Sequence, residues 1–180
     1  MGQIQPVGEI EEWFSKPDPW GYEQHPDDAK RKAILKSLLA SRDYGRVLDL
    51  GCGDGFVTRE LPGKEIIGVD ISENAIARAR EKSLDQPHIS YEAHSLFDLP
   101  KPGYEDNFDL IIVTGVLYPQ YIAQGELLAF TLLDAMLKKG GVLVSCHIDE
   151  WYSFRFPYLT FHREYYRYRE YTHLLEGFLK

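Results

Sequence analysis

Cysteine is scarce in this chain of 180 residues, which contains only Cys52 and Cys146 and no CxxC pair. A zinc finger and a disulfide scaffold are therefore excluded. Long apolar runs are also lacking, whereas a membrane-spanning helix needs about 20 apolar residues in a row. The first stretch, MGQIQPVGEIEEWF, has acidic residues early and lacks an apolar run. We therefore expect no secretory signal and a cytoplasmic location.

Basic residues are outnumbered, with 20 Lys and Arg against 28 Asp and Glu and a net charge of −8. An acidic chain is repelled by phosphate backbones and by anionic lipid, so neither nucleic acid nor a membrane is an expected partner. The content of hydrophobic residues is 44% and that of charged residues 27%, as in average globular proteins. This length and composition predict one domain with a sizeable core.

Short apolar runs alternate with helical patterns from about residue 46 onward. The predicted strands are Val47–Leu50, Glu65–Asp70, Ile89–Ala93, Phe108–Thr114 and Val142–Cys146. The predicted helices begin at Pro26, at Phe56 (to Leu61), after Ser72 (to about Lys82) and at Ile122 (to Leu137, with Lys138-Lys139 in its last turn and Gly140 as its stop). This alternation predicts a doubly wound α/β sheet that is mostly parallel. Two aromatic-rich segments, Arg163–Arg169 and Tyr171–Leu179, predict a C-terminal antiparallel hairpin.

A glycine-rich stretch, LDLGCGDG, follows the first predicted strand. Glycine lets the backbone turn sharply and approach a ligand. Phe56 stands where the dinucleotide fingerprint GxGxxG needs its third glycine, and the P-loop pattern GxxxxGK[ST] is absent. Asp70 ends the second strand 19 positions after Gly51, which suits a ribose diol, although a cap for the next helix would explain the same acid.

In chain order, LDLGCGDG, GVDIS, FDLIIVTGVLYP and LKKGGVLV resemble the motifs of class I S-adenosylmethionine (SAM) dependent methyltransferases over about residues 30–180. The start, DPWGYE followed by a helix holding Arg31, is similar to small nodulation-type N-methyltransferases and their relatives. The resemblance implies a Rossmann-like methyltransferase domain over residues 26–180, with residues 1–25 as an arm or lid. It also implies SAM as the methyl donor and S-adenosylhomocysteine as the product.

The resemblance assigns thirteen residues to the cofactor. They are Tyr22, Arg31, Asp49, Gly51, Cys52, Gly53, Gly55, Asp70, Ile71, Ser95, Leu96, Thr114 and Gly115. The glycine loop would surround the methionine portion of SAM, Asp70 would bind the ribose, and Tyr22 and Arg31 would contact the methionine carboxylate. Ser95 stands where many relatives have an acid at the adenine edge, and Asp98 is the alternative acid.

Two residues beyond the strand tips are candidate catalytic groups, Tyr118 and His147. Histidine has an ordinary pKa near 6.5, which suits proton removal at neutral pH. A histidine satisfied at a strand end, and a tyrosine that only forms a pocket wall, would explain the same residues. No ligand spacing calls for a metal. Aromatics near both chain ends are either ordinary core or the rim of an acceptor site.

The predicted function is methyl transfer from SAM to nitrogen or oxygen of a small organic acceptor. Two alternatives stay open, a SAM-binding partner subunit without turnover of its own and a protein or nucleic-acid methyltransferase. The sequence is compatible with a monomer or a homodimer.

Overall fold

The computed structural model describes residues 4–152 and 154–180, and its helices and strands alternate along most of the chain. The helices are α1 (Val7–Trp13), α2 (Pro26–Leu39), α3 (Glu73–Lys82), α4 (Pro119–Ile122) and α5 (Glu126–Met136). The strands are β1 (Arg46–Leu50), β2 (Glu65–Asp70), β3 (Ile89–Ala93), β4 (Phe108–Thr114), β5 (Leu137–Ile148), β6 (Leu159–Tyr168) and β7 (Tyr171–Leu179). Across these described ranges, no helix has the length and apolar composition that crossing a membrane requires.

All seven strands form one sheet, in the order β3-β2-β1-β4-β5-β7-β6. The first five strands pair in parallel, whereas β7 runs antiparallel to both β5 and β6. The predicted fold, a mostly parallel sheet with an antiparallel C-terminal hairpin, is confirmed. The hairpin's first strand begins at Leu159, four residues before the predicted start.

Both faces of the central strands are buried. On one face Ile111 of β4 belongs to the same core cluster as Leu133 of α5. On the other face Leu110 belongs to a cluster that includes Leu35 of α2. This double burial explains why β4 is a nearly continuous apolar run rather than an alternating one.

The predicted helix over Ile122–Leu137 is wrong in its bounds. The chain is interrupted after α4, where Ala123 has a φ of 50°, and α5 then ends at Met136. Lys138, Lys139 and Gly140 belong to β5 instead of a helix end, because Leu137 already pairs with Phe108 of β4.

The predicted helix over Phe56–Leu61 is also wrong. Only Thr58–Glu60 is helical, as a single 3-10 turn. The Thr58 hydroxyl donates to a carboxylate oxygen of Asp49 over 2.7 Å, which ties this turn to the end of β1. The strand bounds of β2, β3 and β4 agree with their prediction.

The N-terminal end of α3 is bound by two side chains. Ser72 is its N-cap and accepts a hydrogen bond from the backbone N–H of Ala75 over 3.1 Å. Glu11 of α1 accepts from the Ser72 hydroxyl over 3.0 Å and from the backbone N–H of Glu73 over 2.6 Å. A carboxylate is favourable at the positive end of a helix, so these contacts attach the N-terminal arm to α3.

We expect Ser72→Ala to lower the free energy of unfolding by about 1 kcal/mol, because the Ala75 N–H loses its acceptor and Glu11 loses a donor. Urea unfolding followed by circular dichroism measures the change. Ser37→Ala is the matched control, because Ser37 is exposed on α2 and its loss removes no cap. Equal stabilities of the two variants would contradict the assigned cap.

Candidate functional site

A cavity of about 190 Å³ lies at the carboxyl ends of β1, β2 and β4. Twelve of the thirteen predicted cofactor residues line it. They are Tyr22, Arg31, Asp49, Gly51, Cys52, Gly53, Asp70, Ile71, Ser95, Leu96, Thr114 and Gly115. The parallel register brings these segments together, because Leu50 of β1 pairs with both Val69 of β2 and Val113 of β4.

The glycine loop after β1 turns in a way that a larger residue would prevent. Gly51 has a φ of 73°, and a Cβ atom there would lie 2.2 Å from Cγ1 of Val116. The backbone N–H of Gly53 donates to Oδ2 of Asp70 over 2.9 Å, so the loop is fixed to the end of β2. Gly55 is the predicted cofactor residue outside the cavity lining, and a Cβ atom built there would lie 2.5 Å from the Tyr91 hydroxyl.

Asp70 connects the glycine loop with the turn that leads into α3. Its Oδ1 accepts from the backbone N–H of Ser72 over 3.0 Å, while its Oδ2 accepts from Gly53. Burial raises the pKa of Asp70, and the hydrogen bonds from Ser72 and Gly53 oppose that rise. Each carboxylate oxygen has two acceptor sites, so Asp70 retains capacity to accept from a ligand.

Two buried groups of opposite charge in the cavity wall have unused hydrogen-bonding capacity. Oδ2 of Asp49 accepts from Thr58, but its Oδ1 has no partner among the described residues. Nη2 of Arg31 lies 3.1 Å from Oδ1 of Asp28, and its Nε donates to no group within residues 4–152 and 154–180. Asp49 and Arg31 both line the cavity, so this wall suits a ligand with one cationic and one anionic end.

The predicted adenine edge contains Ser95 but not Asp98. The Ser95 side chain lines the cavity and accepts from the backbone N–H of Phe97 over 3.2 Å. Asp98 is exposed and does not belong to the cavity lining. The alternative acid is therefore not available at this edge, which Ser95, Leu96 and Phe97 form instead.

Tyr118 and His147 are not among the described residues that line the cavity. His147 is fully buried, its Nε2 accepts from the Leu117 backbone over 3.3 Å, and its ring stacks on Tyr152 at 4.3 Å. Burial lowers the pKa of His147 to about 3, with a smaller contribution from His173. The geometry therefore gives no support to a base at this position.

Tyr118 has a comparable structural environment. Its hydroxyl accepts from the backbone N–H of Ile148 over 2.7 Å, and burial raises its pKa. Together with the His147 contact, this hydrogen bond joins the loop after β4 to the end of β5. Both side chains thus hold the loop that follows β4 in place beside the cavity.

Several lining residues were not predicted as binding residues. Among them are Gln5, Ile10, Phe56, His94, Phe97 and Tyr121. Tyr121 lies in α4, shortly after the carboxyl end of β4, and ligands of parallel sheets bind beyond such strand ends. Its position in the sequence could therefore have indicated it. Gln5 and Ile10 line the cavity because the arm packs over it. No local sequence pattern predicts such a contact.

A family model described as "Methyltransferase domain" matches residues 41–170. The chain belongs to this methyltransferase family. It is 34% identical to nodulation protein S from Rhizobium tropici over 130 residues, which make up 71% of this chain and 53% of that protein. It is 30% identical to demethylmenaquinone methyltransferase from Staphylococcus carnosus over 131 residues, or 68% of this chain and 50% of that protein.

This methyltransferase domain spans about half the length of the curated relatives it matches. Its fold is similar to the crystal structure of N-methyltransferase NodS from Bradyrhizobium japonicum in complex with S-adenosylhomocysteine. The TM-score is 0.81 with 24% sequence identity, and the match covers 97% of each chain. At this identity the structural likeness establishes a shared fold.

We expect Asp49→Asn to stabilise the domain increasingly as pH rises. Burial, opposed by the Thr58 hydrogen bond, raises the pKa of Asp49 from 3.8 to about 6. Between pH 3.8 and 6, Asp49 therefore keeps its proton in the folded state and releases it in the unfolded state. The stability that protonated Asp49 contributes to the folded state is lost as pH rises through 6. The Asp49→Asn variant should gain about 2 kcal/mol relative to wild type between about pH 4 and pH 8.

Urea unfolding of both proteins at the two pH values measures this gain. Asp43→Asn serves as the matched control, since Asp43 is exposed and carries the same formal charge. A stability difference between the Asp49→Asn variant and wild type that does not depend on pH would be incompatible with the assigned pKa.

Proposed function

We propose that this methyltransferase domain binds SAM and transfers its methyl group to nitrogen or oxygen of a small organic acceptor. One observation carries the proposal: the glycine loop, Asp70, Asp49 and Arg31 line the same cavity of the described chain. Membership of the methyltransferase family and the similarity to nodulation protein S support it.

The charges in the cavity fit the parts of SAM. Its amino-acid end has an ammonium and a carboxylate group, which match in charge the carboxylate of Asp49 and the guanidinium of Arg31 in the cavity lining. Its ribose hydroxyls match the remaining acceptor sites of Asp70. Gly115 has a φ of 69°, and no described atom lies within 4 Å of a Cβ built there, so a ligand can approach the backbone.

Bound SAM supplies a methyl group on a positively charged sulfur, which an acceptor takes in an in-line displacement. The chain has to hold donor and acceptor in line and keep water out. Trp13, Trp20, Tyr22 and Tyr121 line the cavity, and aromatic faces attract cations. These rings therefore suit a positively charged sulfur beside an organic acceptor.

Nitrogen is the acceptor atom that we favour. A neutral amine reacts through its lone pair and needs little help from a base, whereas an alcohol needs a positioned one. The predicted base, His147, does not face the cavity. The N-methyltransferase activity of the nodulation protein with the similar fold agrees with this choice.

We also propose that the N-terminal arm, over residues 4–25, is a lid that excludes water and contacts the acceptor. It contributes seven of the lining residues, among them Ile10 and Trp20. The Gln5 N–H donates to the Gln120 carbonyl over 2.8 Å, so the arm also contacts α4. The loop between β4 and α4 is short, and no described hairpin residue lines the cavity, which leaves the arm to select the acceptor.

A SAM-binding partner subunit without turnover is the second candidate. Ser95, in place of the acid that many relatives have, favours it. A serine hydroxyl is uncharged and binds a polar edge less strongly than a carboxylate does. The two candidates share the binding step and differ only in methyl transfer.

We expect Asp70→Ala to weaken SAM binding about tenfold or more, because hydrogen bonds to a charged group contribute about 1.5–3 kcal/mol. Isothermal titration calorimetry with SAM measures the dissociation constant. Asp85→Ala removes an exposed acid with the same charge change and should leave it unaltered. Unchanged affinity in the Asp70 variant would remove Asp70 from the site.

We expect methyl transfer to amines when isotope-labelled SAM is mixed with matched amine and hydroxyl acceptors of small size. Transfer to amines should be faster than transfer to hydroxyls, because the assigned residues include no positioned base. Mass spectrometry of the products identifies the methylated atom. SAM binding without transfer to any acceptor would favour the partner subunit, and faster transfer to hydroxyls would overturn the preference for nitrogen.

A further inference from the structure

Behind the cavity wall, Arg31 belongs to a buried cluster of charged and phenolic side chains. This Asp28 cluster consists of Asp28, Arg31, Tyr168 and Arg169. Asp28 is 0% exposed and Arg31 is 6% exposed, and both lie on α2. The position of the Arg31 guanidinium thus depends on what holds Asp28.

Asp28 is bound from the far end of the chain. The Tyr168 hydroxyl donates to its Oδ1 over 2.9 Å, and Nη2 of Arg169 donates to its Oδ2 over 3.2 Å. Its Oδ1 is the atom that pairs with Arg31. A buried carboxylate requires compensating charge and hydrogen bonds, and Asp28 receives both from the end of β6 and the turn that follows it.

Arg169 attaches the same turn to two further segments. It has a φ of 55°, and its backbone N–H donates to Asp27 of α2 over 2.6 Å. Its Nη2 also donates to the Trp20 carbonyl of the arm over 2.6 Å. The turn therefore sets the relative positions of α2 and of the arm segment around Trp20 and Tyr22, both of which line the cavity.

Within the Asp28 cluster, two guanidinium groups share one carboxylate. Arg31 and Arg169 both contact Asp28, while the carboxylate of Asp27 lies beside the Arg169 backbone. Arg31 is the member that lines the cavity, and its Nε has no partner among the described residues. An anionic ligand group in the cavity could therefore pair with Arg31.

We propose that Asp28 is a positioning residue which, held by Tyr168 and Arg169 of the C-terminal hairpin, orients Arg31 toward the carboxylate of the methyl donor. This inference rests on the proposed function, because it assigns SAM to the cavity. It makes the hairpin turn a part of the donor site, although Tyr168 and Arg169 are not among the described cavity-lining residues.

The test compares the affinity for SAM with that for decarboxylated SAM, which keeps the sulfonium and the ammonium group but lacks the carboxylate. Calorimetry gives the preference, defined as the ratio of the two dissociation constants. We expect wild type to prefer SAM about tenfold or more, as for a charge-assisted hydrogen bond. Asp28→Asn should remove most of this preference and Tyr168→Phe should reduce it about threefold, both by weakening SAM binding alone.

Tyr165→Phe is the matched control, because Tyr165 lies on β6 with an exposed side chain and should keep the wild-type preference. A merely structural role would lower the affinity for both ligands equally and leave the ratio unchanged. Tyr168→Phe keeps the ring, so it tests the inference even where Asp28→Asn fails to fold.

The outcomes separate the two proposals. Wild type that prefers SAM, with Asp28 and Tyr168 variants that keep the full preference, would overturn the positioning role alone. Wild type that binds neither ligand would overturn the proposed function together with this inference. A loss of preference in both variants supports the role of the hairpin turn.

Discussion

The parallel pairing of β1 with β2 and β4 is the constraint on which the site depends. Because Leu50 is in register with Val69 and with Val113, the three strands end at the same edge of the sheet. The glycine loop, Asp70 and Thr114 therefore emerge side by side. The hydrogen bond from Gly53 to Asp70 then couples two of these strand ends, so the cavity floor is continuous with the hydrogen-bonded sheet.

Local patterns predicted the parts of the fold that local chemistry determines. The apolar run of β4 and the Ser72 cap of α3 could be read directly, since each follows from residues near in sequence. The bounds of α5 could not, because Leu137 leaves the helix to pair with Phe108 of β4. Position in the sheet, rather than helix propensity, ends that helix.

The same distinction applies to the site. The glycine motif indicated four of the lining residues, Asp49, Gly51, Cys52 and Gly53, because a turn of this kind needs glycine at fixed positions. His147 lies inside β5 and not beyond its end, and a strand buried on both faces shows no alternation that would tell which side chains face the cavity. Asp28 was not recognised because its partners, Tyr168 and Arg169, lie 140 and 141 positions further along the chain.

The two caps at the start of α3 have different consequences for the arm. Glu11 comes from the arm, whereas Ser72 belongs to the helix and accepts from Ala75 whether or not the arm is in place. Departure of the arm would leave the Glu73 N–H to water, but the first turn of α3 would stay closed. Opening of the proposed lid would thus uncover the cavity while Ser72 still caps α3.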